Sequence, residues 1–165
     1  MICFDTNTLI FAVEPASGPH VSDHCRRVRH LLERLRDEKT PVILPVLVLC
    51  EFLSKYPPEH HERVMSALAD DYLFFDVTPQ VASRAALLHH EGCAKAVAAG
   101  GVPRQQVKYD QLIAATAVVA GVKEVISEDR DYAQLSGNRL KWTKVSDLPL
   151  PPPTLFDAME PPTEG

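Results

Sequence analysis

Five short strand-like runs divide this chain, and helix-like stretches separate most of them. The runs are residues 2–5 (ICFD), 42–44 (VIL), 72–78 (YLFFDVT), 123–127 (KEVIS) and 141–146 (KWTKVS). The first and second are apolar nearly throughout, which reads as strands buried on both faces. Strands that alternate with helices make βα units and a parallel sheet covered on both sides. The expected fold is therefore α/β: a three-layer α/β/α sandwich around a central, mostly parallel five-stranded sheet.

The segments between the strands carry ordinary helix signals. TNTLIFAVEP holds a short helix that ends before Pro15, and ASGPH is a loop. Ser22 or Asp23 caps a helix running to about Lys39, with Val28, Leu31, Leu32 and Leu35 at helical spacing. Pro45 suits the first turn of the next helix, which carries Glu51 and stops before Pro57. EHHERVMSALADD reads as an amphipathic helix, and Pro79 starts another that runs to about His90. Residues 92–106 read as a loose connection rich in small residues, and YDQLIAATAVVAGV as a helix ending near Gly121.

With 165 residues the chain is one domain with a sizeable core. Residues 1–147 form that domain. The proline-rich tail, 148–165, lacks apolar periodicity and should be extended or disordered, although Leu155 and Phe156 could dock on a surface. A net charge of −5 gives no support to a protein that coats nucleic acid electrostatically, yet a local basic rim remains compatible with it. Cys3, Cys25, Cys50 and Cys93 are scattered without a CxxC, which argues for a reducing cytoplasm over a disulfide framework. No basic flank precedes the first apolar stretch, so it does not read as a signal peptide. The longest apolar run, PVILPVLVLC, is too short for a bilayer, and no membrane association is expected.

In parallel α/β sheets ligands bind beyond the carboxyl ends of the strands. Asp5 ends the first strand, at that edge. Glu51 lies in the helix after the second strand, Asp110 opens DQLIAATAVVAG, and Asp129 and Asp131 follow the fourth strand in VISEDRDY. Each has a structural role open to it. Asp5 can cap the helix TNTLIF, Glu51 can pair with Lys55, Asp110 can answer a helix dipole, and Asp129 and Asp131 can shape a turn. Together they would crowd one sheet edge. Crowded carboxylates repel unless a cation joins them, and hard Mg²⁺ or Mn²⁺ takes oxygen ligands beside a substrate phosphate. That combination points to metal-assisted phosphodiester hydrolysis.

The stretches CFDTNTLI, LPVLVLCEFLSKY, YDQLIAATAVVAGV and VISEDRDY, in this order, resemble the PIN domain family. These are small metal-dependent ribonucleases that include the VapC-type toxins of toxin–antitoxin pairs. The resemblance covers roughly residues 1–147 and implies a PIN-like α/β/α fold. It implies Asp5, Glu51, Asp110 and Asp129 as the catalytic and metal-holding acids, with Asp131 able to replace Asp129. It further implies that Thr6 or Asn7 orients Asp5, and that Ser127 hydrogen-bonds a ligand or a metal water. The expected activity is endonucleolytic cleavage of RNA by metal-activated water, leaving a 5′-phosphate and a 3′-hydroxyl. A small antitoxin and a homodimer are the partners such a toxin would have. Compared with compact toxins, the connection 92–106 is long and the proline-rich tail is extra.

Lys95, Arg104 and Lys108 precede Asp110 and could form a basic rim that meets RNA phosphates. The pairs His60-His61 and His89-His90, and His20 with His24, lack the second half that a zinc site needs. Haloacid-dehalogenase-type phosphatases also place an Asp after the first strand, but need a second acid two residues on, where this chain has Asn7. The remaining alternative is a catalytically silent module of the same fold that binds RNA or protein.

Overall fold

The structure is a computed structural model that describes residues 1–13, 22–92, 104–129 and 131–152. Five strands form one sheet: β1 (Ile2–Phe4), β2 (Val42–Pro45), β3 (Leu73–Phe75), β4 (Glu124–Ile126) and β5 (Lys141–Thr143). Their spatial order is β3-β2-β1-β4-β5, and every neighbouring pair is parallel. β1 is central, pairing Ile2 with Val42 on one side and with Glu124 on the other. Its three residues are buried, as a strand covered on both faces requires. β3 lies at an edge, which leaves Leu73 and Phe74 exposed even though both are apolar.

The helices are α1 (Thr6–Val13), α2 (Asp23–Asp37), α3 (Val46–Leu53), α4 (His61–Ala69), α5 (Pro79–His90), α6 (Arg104–Val119) and α7 (Asp131–Leu135). α1 packs on α2 and α3, α5 packs on α6, and α6 also meets α3 and α7. The Ser22 hydroxyl caps α2 by accepting the Cys25 N–H at 3.3 Å. The α2 stripe Val28, Leu31, Leu32 and Leu35 is buried in the main core, as are Val48, Leu49 and Phe52 of α3. Each such side chain contributes roughly 1.5–3 kcal/mol by leaving water. Those apolar faces are therefore used inside the molecule.

Several boundaries differ from the sequence reading. Pro45 ends β2 with φ −56° and ψ 140° and precedes α3, since its fixed φ suits extended backbone as well as a helical turn. β3 is three residues long, because Asp76–Thr78 leave the ladder to cap α5. The last strand ends at Thr143, and Val145–Asp147 turn into one 3-10 coil. Arg104 and Lys108, read as part of a loop, belong to the first turns of α6. α6 ends in a Schellman motif: the Val122 N–H reaches the Ala117 carbonyl at 3.0 Å, and Gly121 takes the positive φ of 70° that the motif needs. α7 was not foreseen at all. Leu148 is buried and its carbonyl accepts from Arg27, so the packed domain runs past residue 147. Lys95 and the tail from 153 onward lie outside the described residues.

Candidate metal centre

Asp5 follows β1 directly and is 4 % exposed. One carboxylate oxygen, Oδ1, accepts the Thr8 N–H at 2.7 Å, and the Asp5 carbonyl accepts the Leu9 N–H at 3.0 Å. Asp5 is thus the N-cap of α1, its side chain satisfying an amide that the helix cannot. The other oxygen, Oδ2, accepts from the Ser127 hydroxyl at 2.5 Å. Cap and site residue are therefore the same side chain, each role using one oxygen.

Ser127 ties the site to β4 and β5. Its N–H reaches the Thr143 carbonyl at 3.1 Å, and its Oγ accepts the Asp129 N–H at 2.9 Å. The Thr8 hydroxyl donates to the Ile126 carbonyl at 2.9 Å and pins α1 to the end of β4. Glu128 faces away, accepting the Ser146 N–H at 2.6 Å and lying 3.4 Å from His24, which stacks on Phe11. The turn carrying Asp129 is held from α1, α2 and the end of the sheet.

Asn7 is exposed, and Thr6 donates to Glu51 Oε2. Orientation of Asp5, assigned in the sequence reading to Thr6 or Asn7, falls to Thr8 and Ser127. The reason is helix geometry: N3, not N1 or N2, carries the amide that an N-cap side chain meets here. Ser127, expected to meet a ligand, donates to Asp5. Thr6 instead connects half-buried Glu51 of α3 to the residue next to Asp5.

Asp110 lies half-buried in α6. Its nearness to the other acids shows at Tyr132, a buried side chain of α7. The Tyr132 phenol is pushed well above its ordinary range by burial first, then by the negative charges of Asp5 and Asp110, with Cys3 and Asp129 adding. The charges of Asp5, Asp110 and Asp129 are thus all felt at one buried phenol. Burial likewise raises the Asp5 carboxyl, hydrogen bonds from Ser127 and Thr8 pull it back, and Asp129 raises it further. Tyr132 and Thr8 were missed in the sequence. Thr8 had a signal, standing three residues after a potential N-cap, and Tyr132 had only its place after the acidic turn.

The side chains of Arg104 and Asp131 lie outside what the structure describes; Lys108 is exposed. Among the described residues no three His, Cys, Asp or Glu side chains converge into a ready coordination sphere. The chemistry of the donor set still fits a hard divalent cation, which takes one or two carboxylates and completes its shell with water. Net negative charge around a buried carboxyl is what such an ion offsets.

The PIN domain model matches residues 2–138. No curated protein matches the chain. Among solved structures, a chain of DNA-bound VapBC from Salmonella typhimurium superposes with a TM-score of 0.61 at 20 % identity, covering 87 % of this chain and 97 % of that one. A chain of VapBC2 from Rickettsia felis, bound to a promoter DNA fragment, gives 0.60 at 16 % identity, with 87 % and 98 % covered. A chain of a toxin–antitoxin complex from Klebsiella pneumoniae gives 0.54 at 18 %, with 81 % and 91 % covered. These likenesses are of fold. With the family model matched over most of its length, the chain belongs to the PIN domain family.

Proposed function

We propose that the protein is a divalent-metal-dependent ribonuclease and the toxin of a toxin–antitoxin pair. The observation that carries this reading is the buried Asp5 carboxyl at the end of the central strand, with Asp110 and Asp129 close enough to act on the same buried phenol. A buried acid among other acids is costly in a protein that uses it only for structure. Asp5, Asp110, Asp129 and Glu51 would hold one or two Mg²⁺ or Mn²⁺ ions. Bound there, the metal supplies water activation and stabilises the charge that develops on the phosphoryl group.

The chain's own residues set the geometry. Thr8 and Ser127 hold both Asp5 oxygens, so the carboxylate does not rotate as substrate arrives. Ser127 also fixes the backbone at Asp129, and Thr6 restrains Glu51. No Ser, Cys or His is needed as a nucleophile. The toxin role is supported by the solved neighbours of the same fold, which are VapBC and toxin–antitoxin complexes. A small antitoxin would inhibit by setting an Arg or Lys against the acids. A homodimer is part of the same proposal.

The test is cleavage of an end-labelled single-stranded RNA pool by purified protein in Mn²⁺, Mg²⁺ or EDTA, beside Asp5→Asn prepared identically. Metal-dependent cutting that disappears in Asp5→Asn is the expected result. Equal cutting by both proteins would identify a contaminant. No cutting by a folded wild-type protein in either metal would favour a silent binding module.

A further inference from the structure

The acidic turn after β4 is tied on two sides. Side chains of an extended segment alternate between its faces, so Ser127 and Glu128 leave the end of β4 in opposite directions. Ser127 donates to Asp5, whereas Glu128 turns toward α2. One Glu128 oxygen, Oε1, accepts the Ser146 N–H at 2.6 Å and lies 3.4 Å from His24 Nε2. A glutamate beside Asp129 would add repulsion to the acidic centre. Here its charge is spent on an amide and an imidazole outside that centre.

Both anchors are themselves fixed. Val145 and Leu148, on either side of Ser146, are buried, and Arg27 donates to the Leu148 carbonyl. His24 and Arg27 stand three residues apart on one face of α2, so the helix grips this segment at two points. The His24 ring stacks on Phe11 of α1, with centroids 5.0 Å apart and planes at 17°. A displacement of Glu128 therefore moves the turn rather than its anchors. Asp129 follows Glu128 directly, its N–H is held by Ser127 Oγ at 2.9 Å, and its charge is felt at Asp5. A carboxylate carried on a turn goes where the turn goes, so the outer brace bears on where Asp129 sits.

We propose that Glu128 and His24 are positioning residues of the metal centre: Glu128, held by His24 and the Ser146 amide, sets the turn that keeps Asp129 beside Asp5. Neither residue meets the ion or the RNA; both act through the backbone between Ser127 and Asp129. The assignment rests on the metal-dependent ribonuclease reading above, which it deepens by naming what holds Asp129 from outside the site.

The experiment uses the full chain. Titration calorimetry reads Mn²⁺ binding without RNA, and cleavage of a labelled single-stranded RNA is followed beside it. Glu128→Ala removes the brace. Glu128→Gln keeps an oxygen for the Ser146 N–H and drops the charge. His24→Phe keeps a ring to stack on Phe11 and drops the nitrogen. Glu128→Ala should raise the Mn²⁺ Kd about tenfold, as loss of an outer support does. His24→Phe should raise it about threefold, and Glu128→Gln should stay within about threefold of wild type, as suits a half-exposed pair. An unchanged Kd in Glu128→Ala or His24→Phe, with a wild type that binds Mn²⁺ and cuts RNA, would overturn the brace and leave the nuclease standing. Equal losses in Glu128→Ala and Glu128→Gln, or tighter binding in His24→Phe, would show Glu128 acting as a charge that attracts the cation, and would equally overturn it. Should Glu128→Ala fail to fold, His24→Phe decides by the same criteria. A wild type that neither binds Mn²⁺ nor cuts RNA would remove both readings.

Discussion

Replacing Ser127 with alanine tests the physical account of the centre most directly. The hydroxyl is fully buried, donates to Asp5 Oδ2 at 2.5 Å and accepts the Asp129 N–H at 2.9 Å. A hydrogen bond to an ionised group contributes roughly 1.5–3 kcal/mol, and a neutral one about 0.5–1.5 kcal/mol. With Asp5 ionised, Ser127→Ala should therefore cost about 2–4 kcal/mol. With Asp5 protonated, both bonds count as neutral, and the cost falls to about 1–3 kcal/mol. The sign follows from linkage. Burial raises the Asp5 carboxyl in the folded state, so charging Asp5 weakens the fold. That part of stability is full below the unfolded carboxylate range, about pH 4, and drains away as pH climbs through the raised folded value. Ser127 limits the drain by stabilising the charged form, so its loss must hurt more at high pH than at low. Urea unfolding in EDTA near pH 4 and near pH 8 reads the difference directly. An equal loss at both pH values, or a loss below about 1 kcal/mol near pH 8, would refute the claim that this hydroxyl holds a buried carboxylate.

Two further outcomes follow from the same geometry. Asp5→Asn removes a buried charge that burial opposes, so the metal-free variant should melt above wild type at neutral pH and lose that advantage on acidification toward the unfolded carboxylate range; a variant less stable at every pH by scanning calorimetry would contradict it. Thr6→Val frees the Glu51 carboxylate and should cost about 1 kcal/mol of stability while raising the Mn²⁺ concentration for half-maximal RNA cleavage about tenfold; an unchanged metal titration would show that Thr6 serves packing alone.

The order of strands and helices was legible because each run obeys one period. ICF and VIL are too short and too uniformly apolar to be anything but covered strands, and Leu31, Leu32 and Leu35 mark a single helix face. Local chemistry marked Ser22 and Gly121 as helix ends, and each stands where its cap or turn geometry requires. The acids stood out as misfits in apolar company, which is a property of composition alone. Contacts between distant segments were another matter. That Ser127 meets Asp5 and that Thr8 grips Ile126 depends on β1 lying beside β4, and that Thr6 meets Glu51 depends on β1 lying beside β2. Strand order leaves no trace in periodicity, since any order of parallel strands buries the same apolar residues. Tyr132 reads as one more core aromatic until α7 buries it where the charges of the acids are felt. The sequence determined which residues are too costly to bury without a purpose; only the tertiary fold decided which of them share it, because side-chain partnership is set by register and packing across segments 45 to 122 residues apart.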